Sequence, residues 1–398
     1  MTASKSQGTE SRSVNRAWDG VRIVGWGETP YHRRDQRSTV WYLADAVRRA
    51  LSNAGLPKNA VDGIAVTSFQ LPPDNATTFA HHLGIEARWV MQGVHGGASG
   101  VASILQATRM IQAGDADVVV CVAGDAFDVE GHMRLLGRFN QPMRDYLGPY
   151  PYGGPNGLFA LVQSRHMEMY GTKREQLGRL AVAQRQNAQR NPNALLRDPL
   201  TLDDYLNARL IAEPLGLYDC VLPCAGAGAV VLAREDHPDI DLSRSLRILA
   251  GAQLHNYRPD DVVVLNSGFE AFGEAIFATA GLARDEIDML QLYDDYPIMA
   301  LIQLEDLGFA AKGEGGQLLE RVDMTVEGDL PINTGGGQLS AGQCGAGGGI
   351  IGLVEATRQL LHEAPGRQVP FARTALVAGF GMVGYGRGLS TTAAILGR

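Results

Sequence analysis

The chain has 398 residues, 45% hydrophobic and 20% charged, an ordinary globular composition with room for two domains. A net charge of −8, with no basic stripe interleaved with aromatics, argues against a nucleic-acid partner. No apolar run approaches the ~18 residues that cross a bilayer, so no membrane partner is expected.

Four cysteines (Cys121, Cys220, Cys224, Cys344) make no disulfide framework in a chain of this size and point to a reducing, cytoplasmic compartment. Cys220 and Cys224 have no second ligand pair nearby, so no metal site is expected within this chain. Residues 1–20 are polar, lack the apolar stretch of a signal peptide and read as a disordered arm. A first helix follows, with Val40, Leu43, Ala44, Val47 and Leu51 on one face. It ends at "ALSNAGLPKNAVDGIAV", from Ala50, where Gly55 suits a left-handed C-cap and a short apolar strand comes next. Then "GVHGGASGVASILQATRMIQAG" (93–114) reads as a Gly-rich turn feeding a buried helix, followed by the strand "DADVVVCVAGDA".

A region of different character, about 128–220, carries Pro/Gly loops and amphipathic helices and reads as an insertion over the core. Its "GGPNG" (153–157) reads equally as a lid or as a surface turn, and Lys173, Arg174, Arg185 and Arg197 as phosphate partners or as a solvated helix face. The core resumes at the strand "GAVVLARED". Beyond it the first pattern returns. "IFATAGLARDEIDMLQL", from Ile276, repeats the helix end, the Ala-Gly-Leu break and the strand. "GAGGGIIGLVEATRQLL" (345–361) repeats the Gly-rich start and the buried helix, and "ARTALVAGFGM" the strand after it. Two matched pairs in the same order predict two repeated halves, 21–245 (including the insertion) and 246–398, in a layered α/β fold.

These segments resemble the thiolase superfamily, and closely its sterol-carrier-protein-type, lipid-transfer branch, from Val21 to the C-terminus. The most specific stretch is "REQL…NPNALLRDPLTLDDYLNARLIAEPLGLYDC" (174–220). "GGGQLSAGQCGAGGG" (335–349) resembles the family's Gly-rich histidine loop, "YDDYP" (293–297) stands where the family has an Asn-Glu or His-Asp motif, and "GFGMVG" (379–384) matches its last catalytic loop. The resemblance implies a five-layer α-β-α-β-α fold and a CoA thioester as substrate. Yet this chain has Gly97 at the nucleophilic cysteine, Gln343 at the histidine and Gly379 at the second cysteine. None of the three is a nucleophile or a titrating acid or base.

Some cysteine-less members of the branch are carbon–carbon lyases, retro-aldolases acting on β-hydroxyacyl-CoA, and carry a tyrosine where this chain has Tyr293. The resemblance therefore implies an acyl-CoA lyase or condensing aldolase with Tyr293 as proton shuttle. In those lyases a second tyrosine lies in the histidine loop; this chain departs with Gln343, leaving Tyr296, Asp295 or a thioester-bonding Gln343 as substitutes. Of Asp294 and Asp295, adjacent on a strand, one at most faces a pocket and the other is solvated or capping. Asp294 and His95 join Tyr293 and Gln343 as candidate catalytic residues, with a hydrogen-bonded loop histidine as the alternative for His95, and Gly97, Ser99, Gly379 and Gly381 are expected to bind the CoA ester. Cys344 reads as a buried structural thiol, or as an unconventional nucleophile if the protein is instead a thiolase-type acyltransferase. A third alternative is a non-catalytic acyl-CoA or lipid-binding subunit. The resemblance further implies a homodimer and a separately encoded zinc-ribbon/OB-fold acyl-CoA-binding protein, in an α2β2 assembly. Any zinc would belong to that partner, and no cofactor is expected in this chain.

Overall fold

The computed structural model describes residues 17–136, 139–150, 154–258, 261, 263, 265–384 and 387–398. The first half runs β1 (Val21–Glu28), α1 (Thr39–Ala54), β2 (Gly63–Thr67), α2 (Ala76–Leu83), β3 (Trp89–Gln92), α3 (Ser99–Ala113) and β4 (Val118–Ala126). The next stretch holds α4 (Val129–Leu136), α5 (Pro155–Tyr170), α6 (Arg174–Gln189), α7 (Leu202–Leu206), β5 (Leu210–Ala212) and β6 (Leu215–Gly216), and β7 (Ala225–Arg234) then returns to the core. The second half runs β8 (Arg247–His255), α8 (Gly273–Ala280), β9 (Met289–Gln291), α9 (Pro297–Asp306), α10 (Gly315–Arg321), α11 (Gly348–Leu360), β10 (Thr374–Gly384) and β11 (Arg387–Gly397).

Local signals set the helix ends. Ser38 caps α1 by accepting from Trp41 N, and Gly55 closes it at φ +72°, as Gly281 closes α8 at φ +68°. The buried face of α1 is Tyr42, Leu43, Ala46, Val47, Ala50 and Leu51; Val40 and Ala44, expected on that face, lie at its rim. The arm expected over 1–20 is ordered at its end. Trp18 lies under the Arg109 guanidinium (3.8 Å), and Gln112 Nε2 donates to Asp19 O (2.8 Å), both partners on α3. Residues 1–16 and Gly153 of the expected lid lie outside the described residues.

The two sheets have one topology. Their orders are β1-β7-β4-β2-β3 and β8-β11-β10-β9. In each the first two pairings are antiparallel and the third parallel, so β1, β7, β4 and β2 correspond to β8, β11, β10 and β9. The correspondence extends to side chains. Asp62 accepts the N–H groups of Asp117 and Val118 at the start of β4, and Asp288 those of Arg373 and Thr374 at the start of β10. Helices α3 and α11 lie between the sheets, α1 and α2 cover the outside of the first, and α8 covers the second. These are the five layers, α-β-α-β-α, that the resemblance implied. A helix between two sheets must be apolar on most faces, and Val101, Ile104, Leu105, Ile350, Leu353 and Val354 are all buried there. Each such side chain stabilises the fold by about 1.5–3 kcal/mol. Among the described residues no helix is long and apolar enough to cross a membrane.

Candidate active site

The Gly-rich turns before α3 and α11 bring the two halves together. Gly96 and Gly345 hold φ +52° and +57°, so the turns share one shape and His95 corresponds to Cys344. The helix starts then cross backbone on backbone. A Cβ on Gly100 would lie 1.9 Å from Gly349 O, and one on Gly349 would lie 2.3 Å from Gly97 O. No other residue type permits that approach.

At this crossing Tyr293 fills the space of the missing nucleophile. A Cβ on Gly97 would lie 2.1 Å from Tyr293 Cε2, 2.2 Å from its Cζ and 2.4 Å from Phe380 O. Gly379 and Gly381 meet the same turn; their Cβ atoms would lie 3.0 Å from Gly97 O and 2.5 Å from Gly97 N. The structure thus gathers Gly97, Gly379, Gly381 and Tyr293 in one place. The "GFGMVG" segment is strand, the end of β10, rather than the loop that the resemblance implied.

Tyr293 stands two residues beyond β9, in the turn that enters α9. Burial pushes its pKa well above 10, the carboxyls of Asp295 and Asp294 push it further, and the amides of Gln343 and Gln338 pull it back. It is therefore a neutral hydroxyl. Asp294 is neither solvated nor on a strand. Its carboxylate accepts Gln338 N (3.0 Å) and Leu339 N (3.3 Å), capping the second Gly-rich turn, and burial raises its pKa to about 7. Asp295 is also buried, its Oδ1 has no hydrogen-bond partner among the described residues, and desolvation followed by Asp294 raises its pKa well above the usual carboxyl value.

Buried amide atoms without a hydrogen-bond partner among the described residues surround this group: Gln343 Oε1, both ends of Gln338, and Asn333 Nδ2. Leaving such atoms unmet costs about 1–3 kcal/mol each, a cost a bound polar group removes. Tyr293, Asp294, Asn333, Gln338, Gln291 and Glu355 line a cavity of about 20 Å3, enough for one oxygen-sized group. A hollow of about 200 Å3 between α6 and α10, lined by Arg179, Leu202, Leu319 and Met324, shares no residue with it.

The remaining expected site residues have other work. Ser99 Oγ accepts from His95 N (3.0 Å) and is buried, so it fastens the turn. His95 is half-buried, stacked on His255 with centroids 4.6 Å apart; burial and then His255 lower its pKa. Cys344 packs in a different cluster from Tyr293. Its Sγ packs over Gly347, in an apolar cluster with Tyr31, Cys224 and Ile351, and burial leads the groups that raise its pKa well above 9. That removes it from the set of nucleophiles. Tyr296 donates to Asn156 Oδ1 (2.6 Å) and stacks on Phe159, tying α5 to the core rather than replacing the second tyrosine. Arg185, weighed as a phosphate partner, is buried and donates to Ser340 Oγ (2.9 Å) and Asp198 O (3.1 Å). Sequence reasoning missed Gln338 and Asn333. Both flank or lie in the Gly-rich stretch 335–349, and an amide among glycines was the available signal.

The repeat also shows what the site lacks. In the first half Asp125, seven residues after Val118, accepts Ala346 N (2.8 Å), the counterpart of Gly97 N. Seven residues after Thr374 stands Gly381, which brings no side chain to Gly97 N. The acceptor side chain that one half carries is thus replaced by glycine at the corresponding position of the other.

Comparison with known proteins agrees with this geometry. Residues 253–398 match the "Thiolase C-terminal domain-like" family. The chain is 33% identical over 358 residues to the 17-hydroxy-3-oxo-4-pregnene-20-carboxyl-CoA lyase of Mycobacterium tuberculosis, covering 85% of this chain and 90% of that one. It is 30% identical over 396 residues to the steroid side-chain-cleaving aldolase of Thermomonospora curvata (94% and 97% covered). Among solved structures the Ltp2-ChsH2(DUF35) aldolase superposes with a TM-score of 0.81 at 28% identity, covering 95% of this chain and 97% of that one.

Proposed function

From the premise that this chain belongs to the sterol-carrier-protein-type branch of the thiolase superfamily, and is a thiolase-fold acyl-CoA carbon–carbon lyase, we propose that Tyr293 is its proton shuttle. The observation that carries this reading is the Tyr293 ring occupying the space over Gly97. With that space filled and Cys344 packed elsewhere, an acyl-enzyme has no seat, and the acyltransferase alternative loses its nucleophile.

In the cleavage direction the β-hydroxyl of a β-hydroxyacyl-CoA gives up its proton as the Cα–Cβ bond breaks. The bonding pair passes into the thioester enolate, and a carbonyl compound leaves. The α-carbon then takes a proton, so the net change moves one hydrogen ion from oxygen to carbon. Tyr293, a neutral hydroxyl, delivers the proton to the enolate carbon. The β-hydroxyl proton passes to one oxygen of the neutral Asp295 carboxyl, which hands its own proton on to the Tyr293 phenolate and restores the starting state. The enolate oxygen accepts from Gly97 N, at the positive end of α3, and from the Gln343 amide. The repeat favours this assignment, because Asp125 occupies the equivalent acceptor position in the other half.

The names of the two relatives make a β-hydroxyacyl-CoA with a steroid nucleus the first substrate to try. The DUF35 component of the Ltp2-ChsH2(DUF35) aldolase supports a partner subunit of that type. With the lyase paired as a homodimer this gives an α2β2 assembly, cytoplasmic, with any zinc held by the partner. Co-purification with metal analysis and light scattering tests the assembly; full, stable activity of the lone chain would contradict it.

The mechanistic test is Tyr293→Phe. Turnover should fall by about 10²–10⁴ with binding of the CoA ester retained. Products should be a ketone or aldehyde and a shorter acyl-CoA, with no consumption of free CoA. Undiminished turnover in Tyr293→Phe, or a thioester trapped on the chain, would remove the reading.

A further inference from the structure

We infer that Gln303 is a positioning residue of this lyase, setting the place of Tyr293 through a two-point amide clamp on its backbone. The inference rests on Tyr293 being the proton shuttle. The β9–β10 ladder pairs only Met289–Gln291 with Ala375–Val377, so Tyr293 lies past the last strand partner. A side chain there must take its position from something else. Leu292 N donates to Asn333 Oδ1 (2.8 Å), a first substitute for a strand partner. Tyr293 N then donates to Gln303 Oε1 (3.1 Å), and Gln303 Nε2 donates to Tyr293 O (2.7 Å). One primary amide thus meets both peptide groups of the residue, as a neighbouring strand would.

Gln303 is itself fixed. It lies on α9 with no exposed surface, and its Nε2 also donates to Met299 O (2.9 Å). Every residue of α9 from Pro297 to Asp306 is buried, so the helix is a rigid mount. Among the side chains, only an amide of this length offers an acceptor and a donor spaced for a peptide N–H and C=O. A methionine matches the length and offers neither; an asparagine keeps the chemistry and is one methylene short. Gln303 reaches the reacting atoms only through Tyr293. Its loss should slow the chemical step while leaving ground-state binding alone.

Gln303→Met and Gln303→Asn should each lower kcat by about 100-fold with KM within about threefold, the scale expected when a reacting group is misplaced by about 1 Å. Steady-state kinetics of the assembled enzyme on the substrate used for Tyr293→Phe gives both numbers, with circular dichroism to confirm folding. A folded variant with wild-type kcat overturns the inference, as does one in which KM rises and kcat holds. If both variants fail to fold, the clamp serves the fold and the inference is likewise overturned. Tyr293→Phe separates the layers: if it is severely impaired while the Gln303 variants are not, the shuttle stands and the clamp falls.

Discussion

Gly97→Ala adds one methyl group at the point where the site is tightest. Its Cβ would stand 2.1 Å and 2.2 Å from two carbons of the Tyr293 ring. Carbon atoms in contact rest about 3.5–4.0 Å apart, so the ring must retreat by roughly 1.5 Å. Retreat of the ring alone does not relieve the clash, because the same methyl would lie 2.4 Å from Phe380 O, a backbone atom. Overpacking of this kind costs about 1–3 kcal/mol of stability. A displacement of that size should lower kcat by about 100-fold or more. Gly63→Ala is the control: its Cβ would lie 2.7 Å from Val119 Cγ2, between β2 and β4, so it should destabilise without lowering kcat in the folded protein. Urea titration and steady-state turnover on both variants measure the two effects. Wild-type kcat in a folded Gly97→Ala enzyme would refute the claim that Tyr293 works from that position.

Two further outcomes follow from the surroundings. Cys344→Ser should keep kcat within about twofold and lose about 1–3 kcal/mol of stability by burying a hydroxyl. The native protein should resist iodoacetamide at this thiol; alkylation of Cys344 that abolishes turnover would restore the nucleophile reading. Asp125 gives a pH effect of definite sign. Burial raises its folded pKa from 3.8 to about 6, against hydrogen bonds from Ser68, Ala346 N and Gln70 N. A raised carboxyl contributes stability that is complete below the unfolded value and is lost as pH rises through the folded one. The stability of the wild type relative to Asp125→Asn should therefore fall between about pH 4 and pH 7. Urea midpoints across that range check it, and a difference that is flat or rises with pH would contradict the assignment.

The repeat was legible because glycine leaves a backbone signature in the sequence. Gly55 and Gly281 close helices at positive φ, Gly96 and Gly345 shape the two turns, and the apolar runs after them have nowhere to go but between sheets. The resemblance carried the rest of the fold and pointed to Tyr293. Less legible was which neighbours of Tyr293 matter. Asp294 and Asp295 are adjacent in sequence, but one caps a turn 44 residues away and the other is left unpartnered. Cys344 follows Gln343, yet its sulfur joins a separate cluster.

The sequence by itself determined the repeated order of helix, Gly-rich turn and strand, since that rests on residue type and local backbone preference; the five layers and the vacancy at Gly97 came from the family resemblance. Only the tertiary structure decided that the Tyr293 ring fills that vacancy, that Gln303 bonds its backbone, and that Cys344 joins a separate cluster. Those outcomes depend on which side chains meet across α9, α11 and β10, and such meetings are fixed by packing between segments distant in the chain.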